Sequence, residues 1–125
     1  MAKGKTILVV DDEPFILKSL TFILQKGDFE VIEARDGEEA VAMIEQHHPS
    51  LVFLDVMMPK MNGYDVIRKV RANQELEGVF IVLLTAKGQE TDRSQGMSAG
   101  ANDYLTKPFS PSRILQVARE IMDQD

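Results

Sequence analysis

Four apolar runs in this chain end in residues whose side chains could do chemistry. Ile7-Leu8-Val9-Val10 leads into Asp11-Asp12, Leu51-Val52-Phe53-Leu54 into Asp55, Val79–Leu84 into Thr85, and Tyr104-Leu105-Thr106 into Lys107. Short apolar runs bounded by turn residues read as buried strands of a parallel sheet covered by helices. Their carboxyl ends then share one edge, where open α/β sheets place their ligand crevice. Three carboxylates brought to one edge repel, and at least one titrates high unless a cation joins them. An oxygen-only donor set with room for water suits Mg²⁺ better than zinc. A nearby lysine and hydroxyl complete a set suited to phosphoryl transfer onto a carboxylate: cation and lysine neutralise the equatorial oxygens, the hydroxyl binds one of them, and a carboxylate is the nucleophile. Asp55, alone on a central strand, is the candidate nucleophile. Taken singly, each residue has a plainer reading. Asp11 and Asp12 could be caps, Asp55 a turn residue, Lys107 a surface lysine and Thr85 a strand-end hydroxyl with a local partner. Their joint occurrence at four strand ends favours the chemistry.

The elements that must position these groups follow in strict alternation. Strands are expected at 6–10, 29–34, 51–55, 79–84 and 103–106. Glu13-Pro14 opens a helix with Ile16, Leu20, Ile23 and Leu24 inward, stopping at Gly27. Asp36-Gly37 opens a second, with Ala40, Val41, Met43 and Ile44 inward, ending at His47-His48-Pro49. Asn62-Gly63 opens a third around Val66, Ile67 and Val70. A weak, polar helix spans about Glu90 to Ser98, with Met97 and Ala99 nearly its whole apolar face. Ser110-Pro111 caps a last helix around Ile114, Leu115, Val117, Ala118 and Ile121. Five strands alternating with five helices predict an α/β, doubly wound, three-layer sandwich.

Composition narrows the function classes. At 125 residues the chain is expected to be one domain over 1–125, and the plain expectation is a cytoplasmic protein. The net charge of -6 argues against direct nucleic-acid binding, which needs a clustered basic surface. The absence of cysteine excludes disulfides, thiolate chemistry and Cys-based zinc sites. No apolar run approaches the ~20 residues of a membrane span.

In this setting the chain resembles the receiver domains of bacterial two-component response regulators, and is similar to their chemotaxis-type (CheY-like) single-domain members. The matching residues are Val9-Val10-Asp11-Asp12-Glu13-Pro14, Asp36-Gly37, Leu54-Asp55-Val56-Met57-Met58-Pro59 with Met61-Asn62-Gly63, Leu84-Thr85-Ala86, and Gly100-Ala101-Asn102-Asp103-Tyr104-Leu105-Thr106-Lys107-Pro108-Phe109. The resemblance implies a flavodoxin-like sheet in the order 2-1-3-4-5. It implies that Asp55 is phosphorylated by a sensor histidine kinase or histidine phosphotransfer protein, and that the domain assists its own Mg²⁺-dependent phosphorylation and dephosphorylation without being an enzyme in the usual sense. Asp12, Asp55 and the Met57 backbone carbonyl would hold Mg²⁺ (Mn²⁺ could substitute), with Asp11 acting mainly through a water. Thr85 and Lys107 would bind the phosphoryl group, and Thr85 and Tyr104 would form the switch. The Lys107-Pro108 peptide would be cis. A downstream protein would read the face made by the fourth helix, fifth strand and fifth helix. The residues two beyond Asp55 and Thr85, Met57 and Lys87, offer no carboxylate or amide to orient a water, so slow self-dephosphorylation is expected.

Two further features stand out. Phe15 and Phe22, seven apart and roughly 120° from the buried arc of the first helix, suggest a docking stripe for partner helices. His47-His48, adjacent on a helix end, do not share a face and read as solvated. Three alternatives compete with a single-domain switch. The first is the receiver of a larger regulator. The second is an aspartyl-nucleophile phosphatase, which usually carries Asp-x-Asp and a cap domain. The third is a flavodoxin-like cofactor binder, whose phosphate the Asp11-Asp12 corner would repel.

Overall fold

The computed structural model describes residues 6–58, 60–86 and 90–123, with the backbone alone for 90–93. Lys87, and with it part of the dephosphorylation argument, lies outside the described residues. Five strands, β1 (Thr6–Val10), β2 (Glu30–Ala34), β3 (Leu51–Asp55), β4 (Phe80–Ala86) and β5 (Asp103–Lys107), alternate with helices α1 (Pro14–Lys26), α2 (Gly37–His47), α3 (Gly63–Arg71), α4 (Glu90–Ala99) and α5 (Pro111–Met122). All neighbouring strands pair in parallel, and the sheet runs β2-β1-β3-β4-β5. Every residue of β3 is buried, as its apolar run predicts.

Alternation along each strand splits the core into two halves. Leu8, Val10, Val52, Leu54, Ile81 and Leu83 pack with α2 and α3. Ile7, Val9, Phe53, Val82, Leu84 and Leu105 pack with α1 and α5. Helix starts follow their cap chemistry. The side chains of Asp36, Asn62 and Ser110 accept from the backbone N–H groups of Glu39, Asp65 and Arg113 at 2.8, 3.0 and 3.2 Å. His47 and His48 are exposed, and His48 closes α2 in the left-handed region at φ 48°. The Lys107-Pro108 peptide is cis.

Two packing expectations need correction. In α1 the fully inward residues are Leu17, Leu20 and Leu24, while Ile16 and Ile23 sit on the flank, partly buried. The apolar arc is broader than the sheet can cover, and periodicity does not say which edge of the arc is centred. In α4, Met97 is 43% exposed and Gly96 faces the sheet, where an added Cβ would run into Leu83 Cδ2. The helix approaches through its glycine, so the methionine points away.

The far end of α4 is tied down. The Arg71 guanidinium donates from Nε to Gly100 O at 2.9 Å, from Nη1 to Glu77 O at 3.3 Å and from Nη2 to Asn102 Oδ1 at 2.6 Å. Asn102 Oδ1 also accepts from Ile81 N at 2.7 Å, and Gly100 has φ 120°. A planar fork of donors suits this cluster of carbonyl-type oxygens.

Candidate functional site

The same alternation that sorts the core also aims the site. Ile7, Val9, Phe53 and Leu105 face the α1–α5 side, so Asp11, Asp55 and Lys107, each an even number of residues further on, continue that face at the strand ends. β1 and β3 are neighbours, which puts Asp11 beside Asp55. β5 is two strands from β3, and only a long side chain can cross the end of β4. Lys107 does so: its Nζ lies 2.9 Å from Asp55 Oδ1 and 3.0 Å from Asp11 Oδ2. Asp11 Oδ1 meanwhile accepts from Glu13 N at 2.9 Å. Asp11 therefore serves as a local turn acceptor at the start of α1 and as a site carboxylate at once.

Asp11, Asp12 and Asp55 each bring a carboxylate oxygen within 4.8 Å of the others. Asp11 is 1% and Asp55 8% exposed, while Asp12 is open to solvent. Burial, helped by the charges of Asp11 and Asp12 and opposed by the Lys107 hydrogen bond, raises the pKa of Asp55 to about 6. For Lys107, burial disfavours the charge, but the hydrogen bonds and charges of Asp55 and Asp11 outweigh it and its pKa rises. One ammonium thus faces three carboxylates, and the surplus negative charge is what a cation would relieve. Hard, all-oxygen donors fit a divalent ion such as Mg²⁺.

Thr85 is buried, 3% exposed, and the alternation assigns it to the other face with Ile81 and Leu83. Thr85 pairs with Thr106 and Leu83 with Tyr104, so the Thr85 and Tyr104 side chains belong to one face of adjacent strands. Tyr104 is half-buried against that core. The four strand-end groups meet at one edge as expected, yet three serve one face and Thr85 the other. Met57, on the loop leaving β3, is 71% exposed.

Phe15 and Phe22 are 78% and 62% exposed, with Lys26 Nζ 5.3 Å from the Phe22 ring centre. They line one wall of a groove of about 510 Å³ whose other wall is Pro108, Phe109, Pro111 and Leu115. The second wall escaped the sequence reading. Its signal, an aromatic between two prolines directly after Lys107, becomes meaningful only once β5 is known to bring it beside α1. Lys107 lines both groove and site.

The comparisons with known proteins agree with this geometry. The sequence profile described as "Response regulator receiver domain" matches residues 7–119. The alkaline phosphatase synthesis transcriptional regulatory protein PhoP of Bacillus subtilis is 44% identical over 89% of this chain and 45% of its own length. A putative response regulator from Chloroflexus aurantiacus superposes with a TM-score of 0.91 at 34% identity, covering 98% of this chain and 100% of that one. The receiver domain of the sensor histidine kinase PA1611 from Pseudomonas aeruginosa, with a magnesium ion coordinated in its active-site cleft, gives 0.89 at 30%, covering 97% and 99%. The chain spans about half the length of the curated relatives it matches, and these are transcriptional regulators rather than chemotaxis proteins. Among the described residues no helix is long and apolar enough to cross a membrane. On its profile match, its relatives and a sheet that gathers three carboxylates at one edge, the chain belongs to the receiver domains of two-component response regulators.

Proposed function

We propose that Asp55 accepts a phosphoryl group from a phosphohistidine on a sensor histidine kinase or histidine phosphotransfer protein. The observation that carries this reading is the Lys107 ammonium bridging Asp55 and Asp11. A carboxylate oxygen of Asp55 forms the new P–O bond as the P–N bond breaks, and the departing imidazole keeps the electron pair. Lys107, already at hydrogen-bond distance, neutralises the incoming oxygens, and the Thr85 hydroxyl binds one of them. Asp11, Asp12, Asp55 and the Met57 carbonyl would hold Mg²⁺, or Mn²⁺ in its place, and the ion supplies further charge neutralisation. Thr85 and Tyr104, on one face, carry the change to the surface of α4, β5 and α5, where a downstream protein reads it as a population shift. We assign residues 1–125 to one receiver domain acting in the cytoplasm. Because its relatives are about twice as long, the same domain within a larger regulator is the second reading.

The test is intact-mass spectrometry after incubation with acetyl phosphate and Mg²⁺. The expected result is one base-labile adduct of about 80 Da, a single phosphoryl group on a carboxylate, absent when EDTA is added. Several adducts, or one indifferent to EDTA, would overturn the reading.

The Phe15–Phe22 wall suits the apolar helices of the phosphoryl donor protein, since Lys107 joins groove to site. Exposed aromatics in such a position dominate interface energetics. Replacing both with serine is expected to slow transfer from a cognate phosphohistidine protein roughly tenfold or more, leaving phosphorylation by acetyl phosphate unchanged. Equal loss of both activities would refute docking. Slow self-dephosphorylation is expected as well, and loss of the phosphoryl group within seconds in Mg²⁺ would contradict it.

A further inference from the structure

The loop that leaves Asp55 and returns at α3 is bounded by two glycines. Gly63 N–H donates to Val56 O at 2.8 Å. A Cβ placed on Gly63 would stand 2.7 Å from Asp55 O and 3.1 Å from Val56 Cα. On the opposite side Gly37, the buried first residue of α2, lies under Met61. A Cβ there would run into the Met61 carbonyl oxygen and come within 2.6 Å of Met61 Cβ and 2.7 Å of Met61 C. Next to Met61, Lys60 adopts a left-handed φ of 71° and places Nζ 3.7 Å from Asp36 Oδ2.

The atoms that would meet either added Cβ are mainly backbone, so neither clash is relieved by a side-chain rotation. Something larger must move. α2 is anchored on the sheet by Ala40 and Ile44, both fully buried, whereas the loop carries the exposed Met57. At Gly37 the loop therefore yields first, whereas a Cβ on Gly63 meets the buried Asp55 and Val56 themselves, so the strand end that leads into the loop and the start of α3 must part. Gly78 provides the contrast, since a Cβ there would meet nothing within 4 Å.

We propose that Gly37 and Gly63 are positioning residues for the cation site: their missing side chains let the loop seat between α2 and α3, and that seat fixes the Met57 carbonyl relative to Asp55. The inference rests on the reading of Asp11, Asp12, Asp55 and the Met57 carbonyl as divalent-cation ligands. A carbonyl ligand on a loop contributes only if it is held in place before the ion arrives, because ordering it during binding subtracts from affinity.

The test is Mn²⁺ titration of the whole chain, with free Mn²⁺ read by its electron paramagnetic resonance signal. Gly37→Ala and Gly63→Ala are compared with Gly78→Ala, an open position, and with Val70→Ala, a core truncation expected to lower stability away from the loop. The expected result is one Mn²⁺ per wild-type chain, binding weakened tenfold or more in Gly37→Ala and several-fold in Gly63→Ala, and wild-type affinity in Gly78→Ala and Val70→Ala. Wild-type affinity in both loop-facing variants overturns the positioning role and leaves the cation reading standing. Weakening in Val70→Ala equal to that in Gly37→Ala also overturns it, because general loosening would then suffice. Absence of Mn²⁺ binding in the wild type overturns the cation reading itself. If circular dichroism shows Gly37→Ala unfolded, Gly63→Ala decides the matter on the same scale.

Discussion

Asp55→Asn is expected to abolish the phosphoryl adduct completely and, without metal, to make the domain more stable above about pH 6. The first effect follows from the loss of the nucleophile, since an amide oxygen cannot form the acyl phosphate. The second follows from the native pKa of Asp55, about 6 against an ordinary 3.8. The folded state holds this proton more tightly than the unfolded chain does. The associated stability is fully present below about pH 4 and is lost as pH rises through about 6. Asparagine removes the charge and with it this pH dependence. A rise of a few degrees in Tm at pH 8 is the expected scale, since ~1 kcal/mol moves a domain of this size by about 4 °C. Adding Mg²⁺ should close the gap, because the ion binds the native carboxylates of the wild type and stabilises it by linkage. Thermal melts of both proteins at pH 5 and pH 8, with and without Mg²⁺, check all of this. A variant less stable than wild type at pH 8 without metal would contradict it.

Lys107→Met should separate two quantities that usually move together. The ammonium sits 2.9 Å from Asp55 and 3.0 Å from Asp11. Removing a preorganised charge that faces the transferring group slows such reactions by about 10²–10³-fold, and a fall of that order in the acetyl phosphate reaction is expected. Divalent-cation affinity should instead rise, because the ammonium and the ion compete for the same carboxylate oxygens. Metal-free Asp55 should titrate higher still, since Lys107 is the group holding its pKa down. Arginine is not a conservative replacement here. Its rigid fork cannot place one compact charge between two carboxylates as an ammonium does. A variant with unchanged transfer rate, or with weaker Mn²⁺ binding, would refute this account of Lys107.

The sequence made the sheet edge readable because the chemistry sits where apolar runs stop. Asp11, Asp55 and Lys107 could be placed together from alternation and topology alone, and the ion contacts among them follow from that placement. The face served by each residue was harder to read. Thr85 closes its run as Asp55 does, but it is offset by one residue in the strand alternation, and only the registry of β4 with β5 reveals its pairing with the Tyr104 side. The end of β4 at Ala86, two residues beyond the apolar run, is likewise a property of the ladder with Thr106 and Lys107. Helix orientation was legible only to within one arc. Leu17 rather than Ile16 points inward, and Gly96 rather than Met97 meets the sheet, because the receiving surface makes that choice. The roles of Gly37 and Gly63 were hidden for a different reason. A close approach between backbones leaves no trace in hydrophobic pattern, only a small residue at a helix start.

The Arg71 clamp has a mechanical consequence. α4 is fastened just past its end, where the guanidinium holds Gly100 and ties it through further hydrogen bonds to Glu77 and Asn102 on neighbouring segments. Gly96, in the same half of the helix, meets Leu83 of the sheet through bare backbone, and Ala99 packs on the same core. Ten residues make a rod of about 15 Å. A rod hinged at one end behaves as a lever: a tilt of about 8° about the clamp sweeps the first turn through about 2 Å while the last turn barely moves. The β4 end that carries Thr85 comes shortly before α4 in the chain. A displacement of atomic size at the β4 end would then have a long arm to act on, with Arg71 at its fulcrum.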